Sequence, residues 1–444
     1  MVADDNYLMT SSQSKMQSLI NLSEHYGFRY KIVYGASKTK ITVVGYEIDM
    51  DYYRDTTPWR MGGETVKVVE NNEHLGQIVS GTRQENKNID ERLKKGRNSL
   101  FSLLGPAFSY KCMLSPLVKI HLFRTFTCPI TRSGLSSFAL RNHQMSPLSL
   151  FHRKTLKGFL HLSKTAPTPA IHFLFGELPM EGKIHRDMFS LFYSVWNNPD
   201  TKIHQIVKYL LTTSCDNSRT WAVNLRHISK MYNLEDPLSC LLRDPPPKSQ
   251  YRETVLTKIS AFHEKELRSL AITNSKMKYF NVSLIGLRGK HHPSLTNIVK
   301  TEEVKKLRLH TKFLTCDYLT YESKFNQSGK GSPLCKICKT ENESISHIIS
   351  VCPAFRNIRT RILQEMRVVC LLSKTDINFE NLLDCPQTLT QFILDPINFN
   401  LKNRVHICDP IVQPLYKLSR DMCFSIHKER MKQLDELNKL QQDK

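Results

Sequence analysis

Ser146-Pro147-Leu148-Ser149-Leu150-Phe151-His152-Arg153-Lys154-Thr155-Leu156-Lys157-Gly158-Phe159-Leu160 reads as an amphipathic helix. Leu148, Phe151, Leu156, Phe159 and Leu160 recur at helical spacing and make one apolar stripe. The Ser146 hydroxyl suits a cap and the fixed φ of Pro147 suits a first helical position, so the helix is predicted to begin there. His152, Arg153, Lys154 and Lys157 fall opposite the stripe, which predicts a basic face. Two further stripes lie upstream, Ile89, Leu93, Leu100 and Leu104, then Leu117, Ile120 and Phe123 behind Ser115-Pro116. Three packed helices set the fold class: α+β, mainly α-helical.

Strand signals are confined to the first eighty residues. Met16, Leu19, Ile20 and Ser23 predict one helix of about 14 residues, capped by Ser12 or Ser14 and closed at Gly27. Segments 30–34, 41–45 and 66–70 are β-branched and aromatic runs bounded by Gly, Asn and Pro, the pattern of short strands. On the other side of the helices, Asp244-Pro245-Pro246-Pro247 predicts a linker. Residues 248–312 then carry 14 Lys and Arg against five Glu and no Asp, a net charge of +9. Tyr251, Phe262, Tyr279 and Phe280 are interleaved there and Phe313 directly follows, as core residues or as platforms for bases. A long helix is predicted over 414–440, with Leu415, Leu418, Met422, Ile426, Met431, Leu434 and Leu437 on roughly one face. No repeat of solenoid length is present.

The chain has 444 residues, and 63 Lys and Arg against 41 Asp and Glu give a formal charge of +22. A polyanionic partner is expected, nucleic acid first, because binding it releases condensed counterions. No run approaches the roughly 18 apolar residues of a membrane span, and no basic-then-apolar leader opens the chain, so it is expected to work inside the cell, in nucleus or cytoplasm, away from membranes. Twelve irregularly spaced Cys argue for free thiols and metal ligands over a disulfide framework. Cys112, Cys128 and Cys316 lie among apolar neighbours and are expected to be buried. Composition leaves the oligomeric state open.

Cys335-x2-Cys338-x8-His347-x4-Cys352 sets three thiolates and one imidazole at short spacing, the soft tetrahedral set that Zn2+ prefers. The two Cys of the first pair make a tight knuckle. His347 sits on a helical segment, 343–351, that folds back so that Cys352 closes the shell.

At the start of the chain stands an Asp doublet, Asp4-Asp5, followed by the helix pattern and then by Gly35-Ala36-Ser37-Lys38-Thr39-Lys40. Asn72-Glu73-His74-Leu75-Gly76, the helical region and the terminal Cys-Cys-His-Cys cluster come after it in that order. The succession covers most of the chain and resembles reverse transcriptases of non-LTR retrotransposons. The resemblance implies an incomplete palm (1–82), a helical thumb and connection (84–243), a basic helical region (248–330), a zinc knuckle (331–356) and a helical tail (357–444).

It further implies RNA-directed DNA synthesis on an RNA or DNA template-primer. Asp4 and Asp5 match the catalytic doublet that holds Mg2+, and Lys38-Thr39 matches the Lys-Ser/Thr that follows it. Leu75-Gly76 matches the hairpin that grips the primer end, and Arg153, Lys154 and Lys157 match the basic face that a thumb lays along the duplex. Val2 departs from the aromatic residue usual two positions before the doublet. The fingers and the strand bearing the third metal carboxylate have no counterpart here, so whether the chain is an enzyme is left open, and template binding without extension is expected. A domesticated zinc-dependent nucleic-acid-binding protein is the rival, and a zinc-stapled helical scaffold with an acidic protein partner is a third reading.

Overall fold

The computed structural model describes residues 6–45, 52–53, 59–108, 112–215, 217–280, 282, 286–372, 382–396 and 410–442. They gather into two compact units, Met1–Lys94 and Lys95–Lys444. The fold is mainly helical with small sheets.

In the first unit the helix Gln13–Tyr30 starts where Ser12 Oγ accepts the Lys15 N–H at 3.3 Å. It does not stop at Gly27. It runs three residues further, and Lys31 makes the left-handed turn at φ 58°. Gly27 is required for another reason: the chain returns across it, Ile32 N–H donating to Gly27 O at 2.8 Å, and a Cβ there would lie 2.6 Å from Ile32 O. That return removes 30–34 from any strand. Described pairing is limited to three two-stranded sheets: Lys40–Ile41 parallel to Lys67–Val68, Arg60–Met61 antiparallel to Glu64–Thr65, and Asn71–His74 antiparallel to Gln77–Ser80. A small core of Ile20, Ala36, Ile41, Trp59, Met61 and Val66 holds the unit together.

The second unit is helical among its described residues. Ser115 caps Pro116–Leu122 as its Ser-Pro sequence predicts, accepting the Leu117 N–H at 3.3 Å. The helix then loosens into a π-turn at Phe123–Thr127 and continues as Cys128–Arg132. Ser146-Pro147 behaves differently, because its helix is Asn142–Phe159 and Pro147 lies inside it. Gln144 Oε1 accepts the Arg141 N–H at 2.9 Å and starts the helix a turn earlier than the proline suggests. This helix packs on Pro116–Leu122, Thr168–Phe175 and Met180–Trp196. Covered on several sides, it buries His152, 1% exposed, which therefore leaves the predicted basic face.

His152 belongs to an internal polar knot. Buried Glu177 accepts Arg124 Nε at 2.6 Å and is paired with Lys183, while His152 Nε2 stands 3.6 Å from its Oε1. Burial first, and then the Lys183 and Arg124 charges, hold His152 neutral. The proline run is no free linker either: Tyr193 donates to Pro246 O at 2.7 Å and Trp196 Nε1 to Arg243 O at 2.8 Å, pinning 243–247 against Met180–Trp196.

The +9 segment forms the helices Lys248–Ile272 and Thr301–Leu314. Its aromatic residues serve the core. Tyr279, Phe280 and Phe313 are buried, which removes them as base-stacking platforms, and half-buried Tyr251 and Phe262 pack on Tyr193 and Tyr232. Among the thiols, Cys128 is buried and Cys112 and Cys316 are half-buried. The terminal helix Val412–Gln442 lies along Thr301–Leu314 and Arg356–Leu372. Leu415, Met422, Ile426 and Leu434 are buried in that contact, Leu418 and Leu437 are half-buried, and Met431 is exposed. No described helix is long and apolar enough to cross a membrane.

Candidate metal centre

The 335–352 segment folds as two short pieces brought face to face. Leu334 bridges Asn342, Cys335 N–H donates to Glu341 O at 2.8 Å and Lys339 N–H to Cys335 O at 2.9 Å. Lys339, directly after the second Cys, takes φ 58° and turns the chain back out of the knuckle. The second piece is a π-turn, His347–Val351, in which Cys352 N–H donates to His347 O at 2.7 Å. Buried Arg359 stabilises its end by donating to the carbonyls of Ile349, Val351 and Cys352.

Cys335, Cys338, His347 and Cys352 are thereby assembled, their ligand atoms all within 4.8 Å of one another. His347 Nε2 is 3.3 Å from Cys338 Sγ, while its Nδ1 is 3.2 Å from Glu341 Oε2. A carboxylate on the outer nitrogen fixes the imidazole so that Nε2 faces the metal position, the usual supporting contact for a metal-bound histidine. Donor types, count and closeness fit one tetrahedral Zn2+. All four positions are filled by protein, so such a metal would be structural.

Hydrogen bonding between the two sulfurs lowers the Cys335 thiol below the usual thiol range and pushes Cys352 above it. Burial disfavours charge on His347, but hydrogen bonding to Cys335 and Glu341 overrides it and raises the imidazole to about 9. A bound divalent cation displaces these protons.

Asp4 and Asp5 lie outside the described residues. Lys38 is exposed on a turn in which the Lys38 and Thr39 N–H groups donate to Gly35 O at 3.1 and 3.0 Å. Leu75-Gly76 forms the two-residue tip of the Asn71–His74/Gln77–Ser80 hairpin, both residues at positive φ, 48° and 75°. The tip is backed by Arg92, which donates to Gly76 O, and Asn88 clamps Ile78 through its N–H at 2.9 Å and its carbonyl at 2.7 Å. On Asn142–Phe159, Lys154 is exposed and Arg153 and Lys157 are half-buried, with Lys157 Nζ donating to Lys164 O at 2.8 Å.

Residues outside the motif also build the centre. Glu341, Glu343 and Arg359 read as ordinary solvated charges, and no spacing rule singles them out. Compared with known proteins, the chain shows no match to a family model, a curated protein or a solved structure.

Proposed function

We propose that this chain binds RNA, or RNA paired with DNA, chiefly through phosphate contacts, as the nucleic-acid-holding part of a non-LTR retrotransposon reverse transcriptase. The assembled Cys335/Cys338/His347/Cys352 cluster carries the reading. A closed, non-catalytic metal staple in a chain of net charge +22 serves to present cations, and a polyanion is what such a surface holds. Exposed Lys154, beside Arg153 and Lys157, is the thumb-like contact, and the Leu75-Gly76 tip is the primer-end contact. Asp4, Asp5 and Lys38 are assigned, on the ordered resemblance alone, to the Mg2+-dependent polymerase site.

The second reading keeps the nucleic acid and drops catalysis: a zinc-dependent RNA-binding protein. It draws on the closed metal shell, which needs no reaction to explain it.

Two measurements test these readings. If roughly six phosphates are neutralised, log affinity for RNA falls with log salt at a slope of about −4 to −5. Affinity that stays flat with salt overturns both readings. Template-primer extension that is abolished by Asp4→Ala supports the polymerase; RNA binding with no extension supports the binding protein.

A further inference from the structure

A cavity of about 680 Å3 opens beside the metal centre, between Thr301–Leu314, Tyr321–Ser328 and the terminal helix. Its lining includes apolar Leu309, Phe424, Met431 and Leu434 and cationic Lys305, Lys312 and Lys324. The metal-bearing loop reaches it: Lys336, next to the ligand Cys335, places its ammonium 5.0 Å from the centre of the Tyr321 ring, and Lys324 places its own 5.2 Å from that ring.

The acidic and basic groups around the cavity are mostly committed. Asp317 accepts the Ser163 N–H at 2.7 Å, and Arg430 is paired with Glu343. Arg308 donates to Cys112 O. Tyr318 is fixed by stacking on Phe313 at 3.9 Å and by its hydroxyl against His427 Nδ1 at 2.9 Å. Burial, then the neighbouring Arg430 and Lys312 charges, lowers the His427 pKa, so it adds no charge at neutral pH. Asp435 is the other carboxylate on the lining. Lys305 and Lys324, both exposed, form no ion pair among the described residues.

An apolar, aromatic-edged lining beside the exposed ammonium groups of Lys305 and Lys324 matches a planar apolar body that carries anionic groups. A nucleotide has that chemistry, and the volume is in the range of roughly 300–1,000 Å3 typical of small-ligand sites. We propose that this cavity receives an unpaired nucleotide of a single-stranded RNA, its base against Leu309, Met431 and Tyr321 and its flanking phosphates on Lys305 and Lys324. The proposal rests on the nucleic-acid reading and deepens it. Unstacked bases are what proteins bind in single-stranded RNA, whereas a duplex offers only phosphates and groove edges.

The test uses the zinc-loaded full chain and short single-stranded and double-stranded RNAs of the same charge density. Lys305→Glu/Lys324→Glu is expected to weaken single-strand binding by tenfold or more and to lower its salt slope by about 1.4, the value for two phosphates on a single strand. Met431→Trp, which fills the cavity without altering charge, is expected to weaken single-strand binding and to leave duplex binding and thermal stability unchanged. A photoreactive uridine in the bound strand is expected to crosslink within 305–324 or 424–438. Unchanged single-strand affinity in Met431→Trp, or equal loss on both RNAs in the double variant, overturns the proposal while leaving the nucleic-acid reading in place. Displacement of the RNA by polyglutamate that depends on Lys305 and Lys324 equally in native protein and in Met431→Trp also overturns it. Absence of any RNA binding fells the broader reading instead.

Discussion

Arg430 of the terminal helix grips Glu343 of the metal-bearing loop in a bidentate ion pair, Nε to Oε1 at 3.0 Å and Nη2 to Oε2 at 2.7 Å. Both side chains are buried, and Glu343 also accepts the Tyr321 N–H at 2.9 Å. One carboxylate thus fastens the metal loop to two helices. Removing only the cation leaves a buried, unpaired charge, and that situation costs about 3–5 kcal/mol. Arg430→Met is therefore expected to lower the unfolding free energy by an amount of that order in urea titration. The pair replacement Arg430→Met/Glu343→Leu is expected to recover part of the loss, and a double variant no better than the single would contradict this account.

Metal removal has a local signature. Structural zinc in small modules contributes on the order of 10–16 kcal/mol to folding, so a chelator is expected to open 333–355 to amide exchange while Asn142–Phe159 stays protected. One zinc per chain is expected in purified protein, falling below half in Cys338→Ser. Zinc content unchanged by that substitution would mean that the four residues are not the ligand set.

Acid sensitivity follows from the buried imidazoles. His185 and His310 are each pushed down to about 3, burial being the largest cause in both. Folded pKa values lie below the unfolded value of about 6.5, so the unfolded chain takes up protons first as pH falls. Their stability is fully present above about pH 6.5 and drains away between there and about pH 3. Each group contributes a slope of about 1.4 kcal/mol per pH unit, about 2 kcal/mol by pH 5. Urea midpoints between pH 7.5 and 5 are expected to fall steeply in the native protein. In His185→Gln/His310→Gln the same measurement is expected to show a shallower pH dependence, whatever its absolute stability.

What could be read from the sequence was what is decided locally. Ser115 caps its helix and the four metal ligands converge, because both depend on residues a few positions apart. The reading fails where a contact outside the motif decides, whether a few residues away or on another segment. Ser146-Pro147 carries the same signal as Ser115-Pro116, but the Arg141–Gln144 contact starts that helix earlier. His152 looked solvent-facing because the stripe rule assumes one buried face, and this helix is covered on several. Gly27 looked like a cap, whereas its role is to admit the Ile32 carbonyl of the returning chain. Glu343 was invisible because its partner lies 87 positions away.

The Leu75 tip offers the sharpest separation of function from stability. A two-residue hairpin turn with positive φ at both positions favours Asn-Gly, and Leu in the left-handed region costs roughly 1–2 kcal/mol. Leu75 is nevertheless there, and 82% exposed, so burial contributes little in return. Backbone strain at an exposed apolar residue is the kind that function maintains. Leu75→Asn is expected to stabilise the Met1–Lys94 unit by about 1 kcal/mol through relief of that strain. If Leu75 lies on the primer end, the same substitution weakens binding to a primer-template with a recessed end and spares binding to a blunt duplex. Both quantities come from one preparation, a melting curve and a pair of titrations. A gain in stability with no change on either nucleic acid would make Leu75 an ordinary surface residue and remove the hairpin from the proposed interface. Loss on the recessed end alone would place the tip at the primer terminus.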